Sequence, residues 1–359
     1  MTPDMPRCVA EDADLVQVFE TQAGHCDRMN APFNGRICRL LPRLLDETSA
    51  LGRRVLAWSH DNMAGDLMPL RCCAGFHALA RANRVAGLAA VYPPAQPDDA
   101  ALEARLQAAI AQDDAFLAAY LDSAPQTNEI GRSAILLGGL LSLARRVKFP
   151  VALYEIGASA GLNMLFDRWY YDLGAGGFWG AAQSNVRLTS DWTGATPAVQ
   201  TPLGIVSRAA SDLAPLDAGK PAARDRLLSY IWPDQTARLE RTKAALDIFA
   251  GQGLVVEKAD ALDWVSRRLQ PSSAAPGTVT VLWHSVFLQY LDSSQRSSLV
   301  HVIRERGRAA AADRPFAWLQ MEAGRENRQQ CELRLTLWPG GETVHLADVD
   351  WHGRSAHWR

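Results

Sequence analysis

Val151-Ala152-Leu153-Tyr154-Glu155-Ile156-Gly157-Ala158-Ser159-Ala160-Gly161-Leu162-Asn163 is the stretch on which the reading of this chain turns. A short apolar run closed by glycine predicts a buried strand over Val151–Ile156. The small residues that follow predict a tight turn against which a ligand can lie, and a helix start with free N–H groups after it. Glu155, near the carboxyl end of the strand, is placed to accept hydrogen bonds from a polar ligand at a topological switch point.

Working outward, the chain changes texture at Lys148-Phe149-Pro150. Downstream, strands are predicted at Gly204–Ala209, Leu254–Lys258, Val279–Trp283 and Phe316–Met321. Helical patterns lie between most of them, at Ala222–Ile231, Thr236–Ala250, Ala261–Leu269 and Ser294–Ala310. Such alternation predicts a mostly parallel sheet covered on both faces. The last stretch reads as an antiparallel hairpin, Glu332–Trp338 and Thr343–Val349 around Pro339-Gly340-Gly341. Upstream, Ala, Leu and Arg dominate, and helices are predicted at Ile37–Leu51, Leu70–Ala90, Asp99–Leu121 and from Thr127 or Asn128 to Arg146. The expected division is an all-helical N-terminal domain, 1–147, and an α/β domain, 148–359. Residues 163–203, rich in Gly, Trp and Tyr, interrupt that plan and predict a helix continuation followed by an insertion with one or two short strands.

The chain has 359 residues, with 37 Lys plus Arg against 39 Asp plus Glu. That balance offers no basic field for a phosphate backbone, so no nucleic-acid partner is expected. The longest apolar run, Ser133–Ala144, is too short to span a bilayer, and no membrane role is expected. The first residues carry acids and no apolar core, so no signal peptide is expected. The 6 cysteines include no C-x-x-C pair and read as reduced thiols of a cytoplasmic protein. Cys72 and Cys73 are adjacent, but strain disfavours a vicinal disulfide.

Three ligand readings of the turn compete with a fourth, a tight turn that binds nothing. Acidic-x-Gly-x-x-x-Gly (Glu155, Gly157, Gly161) is the loop of an S-adenosylmethionine site. A dinucleotide loop needs G-x-G-x-x-G, and Ser159 stands where its second glycine belongs. Gly157-Ala158-Ser159-Ala160-Gly161 also spells the G-x-S-x-G elbow of a serine hydrolase, with Asp260 and His284 following in the order a hydrolase needs. No oxyanion segment precedes that elbow. Downstream residues favour the first reading. Asp212 follows the second strand, where an acid binds ribose hydroxyls. Asp260 and Ala261 follow the third, within reach of an adenine, and His284 follows the fourth. Any one of these acids alone reads as a helix N-cap.

At these residues the chain resembles a class I S-adenosylmethionine-dependent methyltransferase, and more closely a bacterial family, domain of unknown function 2332. The marks of that family are Gln126-Thr127-Asn128-Glu129 with Arg132, and Glu155 through Asn163. They continue with Asp212-Leu213, Pro215-Leu216-Asp217, Trp232-Pro233-Asp234-Gln235, Asp260-Ala261-Leu262, Leu335 through Gly340, and His352-Gly353. The methyltransferase resemblance implies a Rossmann-like, methyltransferase-type fold: a mostly parallel sheet in the order 3-2-1-4-5-7-6 with its last hairpin antiparallel. It implies S-adenosylmethionine as cofactor, with Gly157 and Gly161 under its methionine part, Asp212 on the ribose and Asp260 on the adenine. Glu155, Ala158, Ser159, Asn163 and Ala261 complete the expected cofactor set, and Asn128 and Arg132 are expected to close over it.

For chemistry, His284 at the end of the fourth strand is the first candidate base or orienting group, and Glu322 at the end of the fifth is the second. Their ordinary structural readings are a buried, hydrogen-bonded histidine and a salt-bridged carboxylate. Trp169, Tyr170, Tyr171, Phe178 and Trp179 either line an acceptor pocket or cover the insertion. Asp348, Asp350 and His352 alternate and, with His345 nearby, could hold a divalent metal, but charged alternation is the habit of an exposed edge strand, and no metal is expected. The leading expectation is a methyltransferase acting on a small molecule. A non-catalytic cofactor-binding module and a hydrolase using Ser159 are its alternatives, and the oligomeric state stays open between monomer and homo-oligomer.

Overall fold

In the computed structural model, residues 6–59 and 62–359 are described. Helices α1 (Ala13–Arg28), α2 (Pro32–Leu44), α3 (Ala50–Leu56), α4 (Met68–Arg81), α5 (Asp99–Tyr120) and α6 (Arg132–Arg146) come first. Strands β1 (Val151–Ile156), β2 (Tyr170–Gly174), β3 (Phe178–Gly180), β4 (Arg187–Gly194) and β5 (Ile205–Asp212) follow. Then come α7 (Pro221–Ser229), α8 (Thr236–Ala250), β6 (Val256–Lys258), α9 (Ala261–Arg268), β7 (Val279–Ser285), α10 (Ser293–Arg308) and β8 (Phe316–Ala323). Strands β9 (Cys331–Trp338), β10 (Glu342–Val349) and β11 (Ser355–Trp358) complete the order. Among the described residues, no helix is long and apolar enough to cross a membrane.

The chain divides into two units, one holding residues up to Thr127 with Pro221–Lys243, the other Asn128–Lys220 with Ala244–Arg359. The division therefore falls at Thr127/Asn128 rather than at 147/148, and α7 belongs to the helical unit. That unit packs Phe19, Ile37, Leu41, Phe76, Leu79 and Leu106 into one core. The helix expected over Ile37–Leu51 is two helices. Leu45 leaves the helix in an extended conformation, and Ser49 Oγ caps a new one by accepting from Gly52 N at 2.9 Å. The helix expected over Leu70–Ala90 ends at Arg81, where Asn83 turns left-handed at φ 49°. The start of α2 is capped from far along the chain: Asp234 accepts from Phe33 N and Asn34 N at 2.8 and 3.0 Å. All six cysteines are free thiols. Burial pushes that of Cys72 up to about 12, a value suited to an inert core thiol.

The second unit is built on an 11-stranded sheet in the order β3-β2-β4-β11-β10-β9-β8-β7-β1-β5-β6. From β6 to β8 the neighbours are all parallel. Numbered by appearance, these five strands stand 3-2-1-4-5. Beyond them the expected order fails, because β9, not β10, borders β8. Strand β8 turns straight into β9, closed by Gly324 N donating to Gln330 O at 2.7 Å. A tight turn with no crossover helix leaves the next strand antiparallel beside the last. The expected last hairpin is present as antiparallel β9 and β10.

Residues 163–203 depart further from expectation. The helix after β1 is a 3-10 helix, Leu162–Arg168, and the chain then forms β2, β3 and β4 at the far end of the same sheet. Helix α6 explains how the two ends are tied. Its buried residues run almost without a break from Ser133 to Leu141, as expected of a helix covered all round. A Cβ on Gly138 would strike the ring of Trp358, and one on Gly139 would lie 2.5 Å from Leu319 Cδ1. The sheet thus curls around α6, with β8 on one side and β11 and β4 on the other. Register puts Glu155, Trp283 and Leu319 side by side on the α6 face. The alternate residues Ile156, Leu282, Phe316 and Trp318 face α9 and α10 in a separate apolar cluster.

Candidate functional site

The turn after β1 is held in a conformation that few sequences tolerate. Gly157, Ser159 and Gly161 all have positive φ, at 66°, 55° and 77°. A Cβ on Gly157 would enter the ring of Phe287, and one on Gly161 would lie 2.7 Å from Val256 Cγ2. Backbone sterics and these two neighbours together account for both glycines. Ser159 bears the strain without the exemption glycine enjoys. Four loop amides are already engaged. Ala158 N donates to Ser211 O at 3.1 Å, and Ser159 N to Asp212 Oδ2 at 2.8 Å. Gly161 N donates to Ala158 O at 2.8 Å, and Leu162 N to Asn128 Oδ1 at 2.9 Å. The expected free helix start is therefore not found, because a short 3-10 turn follows and Asn128 occupies its first amide. A loop with its amides so occupied is poorly suited to phosphate.

Around the carboxyl ends of β1, β5 and β7, buried polar atoms lack partners. Glu155 Oε2, Ser159 Oγ, Asn163 Oδ1, Ser211 Oγ and Trp283 Nε1 make no hydrogen bond. Such atoms call for a physical reason, and a ligand or water is the common one. Glu155 is only 2% exposed. Burial pushes its carboxyl up to about 8, Asp212 adds to the rise, and Trp283 and Arg132 pull it back. Asp212, at the end of β5, accepts from Ser159 N through Oδ2 and from Ala214 N through Oδ1 at 2.9 Å. Its neighbour Leu213 and, on the β7 side, Tyr290 are 70% and 77% exposed, apolar surface at the rim of these strand ends. Val286, directly after β7, is a β-branched residue at φ 54°, a second strained point beside the turn.

His284 and Glu322 meet, but away from Glu155. His284 is 0% exposed and shares the face of Leu282 and Trp318, opposite the α6 face. Its Nδ1 lies 2.6 Å from Glu322 Oε1, and Trp318 Nε1 donates to its Nε2 at 3.0 Å. With Nε2 accepting, the ring proton sits on Nδ1 and points at Glu322. Glu322 Oε1 also accepts from Phe287 N at 2.9 Å. The pair braces the loop that carries Phe287 against Gly157. Neither nitrogen of His284 is left to take a proton from Ser159, whose Oγ has no partner at all. The serine-hydrolase reading thus lacks its base in this geometry.

The other candidates fall into place as supports. Asp260 caps α9, with Oδ1 accepting from Leu262 N and Asp263 N at 2.8 and 3.2 Å, and Ala261 is the first residue of that helix. Arg132, at the start of α6, donates from Nε to Trp351 O at 3.0 Å and from Nη1 to Ser285 O at 3.4 Å. The chain does not cap α6 with Thr127 or Asn128; that helix starts at Arg132, after Gly131. His352 reaches Glu129 at 3.4 Å, so Glu129, Arg132 and the 351–352 turn form one clip. Tyr171 and Trp169 are buried, and Trp179 stacks on Phe166, so the insertion's aromatics chiefly pack. Asp348 pairs with Arg359 and His345, and Asp350 with Arg354. Sequence reasoning missed Ser211, Trp283, Phe287 and Trp318. Ser211 directly precedes an acid already singled out, whereas Trp283 and Trp318 read as ordinary core aromatics until register aligns them.

The chain matches, over residues 16–358, the model of a family described as an uncharacterized protein conserved in bacteria (DUF2332). It belongs to that family. Neither the curated proteins nor the solved structures gave a match.

Proposed function

We propose that this member of the bacterial DUF2332 family binds S-adenosylmethionine at the carboxyl ends of β1 and β5 and passes its methyl group to a small molecule. One observation carries the reading: a buried carboxyl, Glu155, with an unpartnered oxygen, and half-buried Asp212 on the adjacent strand lie beside a turn whose amides are already engaged. The floor they form is dominated by carboxylate acceptors, with the Trp283 indole and the more distant Arg132 as modest counterweights. A ligand with an ammonium, a sulfonium and two ribose hydroxyls supplies donors and positive charge, and a phosphate supplies neither. The unpartnered atoms of Ser159, Asn163 and Ser211 fit the same ligand. Asp212 keeps one lone pair on each oxygen for ribose hydroxyls, and Asp260 Oδ2 is left to reach an adenine amino group. The 3-2-1-4-5 order of the parallel strands sets Glu155 at the switch point, where such ligands bind.

The cofactor, when bound, supplies an activated methyl group. The chain's own part is orientation and exclusion of water, with Leu213 and Tyr290 as apolar cover. His284 and Glu322, locked on each other, take no proton in this scheme. That same locking favours a second reading, a module that binds the cofactor without turnover. Isothermal titration with S-adenosylmethionine and S-adenosylhomocysteine tests the proposal, with Asp212→Ala as control. The expected result is micromolar binding that weakens at least about tenfold in the variant. Absence of heat with either ligand rejects both readings. Binding without formation of S-adenosylhomocysteine across a panel of small acceptors selects the second.

A further inference from the structure

Between α10 and the β8–β9–β10 meander lies a groove of about 500 Å³, far from the ends of β1 and β5 in sequence and lined by a different set of residues. Three arginines converge on it. Arg304 and Arg308 stand one turn apart on α10 and share a face, and Arg325 comes from the turn after β8. No aspartate or glutamate lines the groove. Arg308 reaches Glu305 on its own helix. Arg304 and Arg325 are exposed and form no ion pair among the described residues. In a chain with 37 basic and 39 acidic residues, an acid-free trio of arginines is not the background pattern. Favourable placement near a helix C-terminus accounts for Arg304 and Arg308. It does not account for Arg325.

The floor is polar where the arginines meet it. Thr336 and Thr343 face each other across β9 and β10, their hydroxyl oxygens 2.8 Å apart. One of the two protons serves that bond, which leaves the other to donate upward. Trp338 and Trp318 close the base, and Trp338 is seated against Gly307, where any Cβ would strike its ring. Planar guanidinium forks around a hydroxyl donor match an anion with several oxygens on tetrahedral centres. We propose that this groove binds a compact polyphosphate anion of the pyrophosphate kind. A groove of about 500 Å³ leaves room for two linked phosphate groups, and two unneutralised guanidiniums with a third on its wall supply charge for more than one.

The test is isothermal titration of the full chain with inorganic pyrophosphate at constant ionic strength, with sodium citrate as the comparison anion. The expected result is saturable pyrophosphate binding that falls about 100-fold in Arg304→Ala/Arg325→Ala, at about tenfold per charge-assisted contact. Both side chains are exposed, so the ligand-free melting temperature of the variant should match that of the parent. Thr343→Val should weaken binding less, by about tenfold or under. No saturable pyrophosphate binding, or equal binding by the double variant, overturns the proposal. Citrate binding as tightly as pyrophosphate overturns the assignment to phosphates. Asp212→Ala should leave pyrophosphate binding unchanged, which keeps this site separate from the one at β1.

Discussion

Two clusters of buried polar groups, one on each face of the sheet, differ within a few residues of each other, although the α9/α10 face also holds Gln320 Nε2 and Trp264 Nε1 without partners. On the α9/α10 side, His284, Glu322 and Trp318 satisfy one another and the loop above them. On the α6 side, Glu155 and Trp283 are equally buried; the indole N–H lies near enough to pull the Glu155 carboxyl back, yet neither it nor Glu155 Oε2 makes a hydrogen bond of good geometry. Register makes the contrast direct, since Glu155 and Trp283 are neighbours on adjacent strands and His284 is the next residue along β7. A satisfied buried network holds a structure in place. A buried polar group without a well-placed partner costs free energy and is relieved by a ligand or water that supplies one. The satisfied cluster acts as scaffold, and the proposed ligand lies beside the other.

The largest effect should come from breaking the satisfied side. His284→Ala removes a donor to Glu322, strands the Trp318 N–H and opens a cavity, at a cost of about 4 kcal/mol in urea unfolding. A loss under about 1 kcal/mol would show that the His284 cluster is not structural. The next effect belongs to Glu155. Its carboxyl, pushed up from 4.5 to about 8, keeps its proton in the folded protein while the unfolded chain releases it. The folded state therefore binds more protons across that window, and stability falls as pH rises from about 5 to 8, then levels. The fall attributable to Glu155 should be roughly 3 kcal/mol, seen as the difference between wild type and Glu155→Gln unfolding curves across that range. Parallel curves would remove Glu155 from the contrast. The smallest effect is Ser159→Gly, which relieves a positive φ and deletes an unpartnered hydroxyl, for a gain of about 1 kcal/mol. A loss instead would mean that the hydroxyl has a partner in solution.

Much of the candidate site was legible in the residues. Glu155, Gly157, Gly161 and Asp212 announce themselves because a strand end, a forced backbone and a neighbouring acid all leave local marks. The pairing of Asp212 with the Ser159 amide could not be read, since it depends on how β5 lies against β1. His284 and Glu322 were visible as polar residues at strand ends. Which face each would take depends on register, and a shift of one residue reverses it. The helical patterns located most helices, while their ends moved where a distant carboxylate, such as Asp234 on α2, supplied the cap. The far end of the sheet was the least legible part. Nothing local in residues 163–203 says that β4 joins β11 and carries β2 and β3 beyond it, because such pairings are made by α6 filling the curl between the sheet's ends.

The most direct test of the contrast between the two faces is proton release on ligand binding. S-adenosylmethionine should be titrated into the protein at pH 7.5 in two buffers of different ionisation enthalpy, such as phosphate and Tris. A cation bound against Glu155 should drive the carboxyl from mostly protonated to ionised and release roughly three-quarters of a proton, and Glu155→Gln should release none. Binding with no buffer-dependent heat, or proton release that persists in Glu155→Gln, would contradict the placement of the ligand on the α6 face.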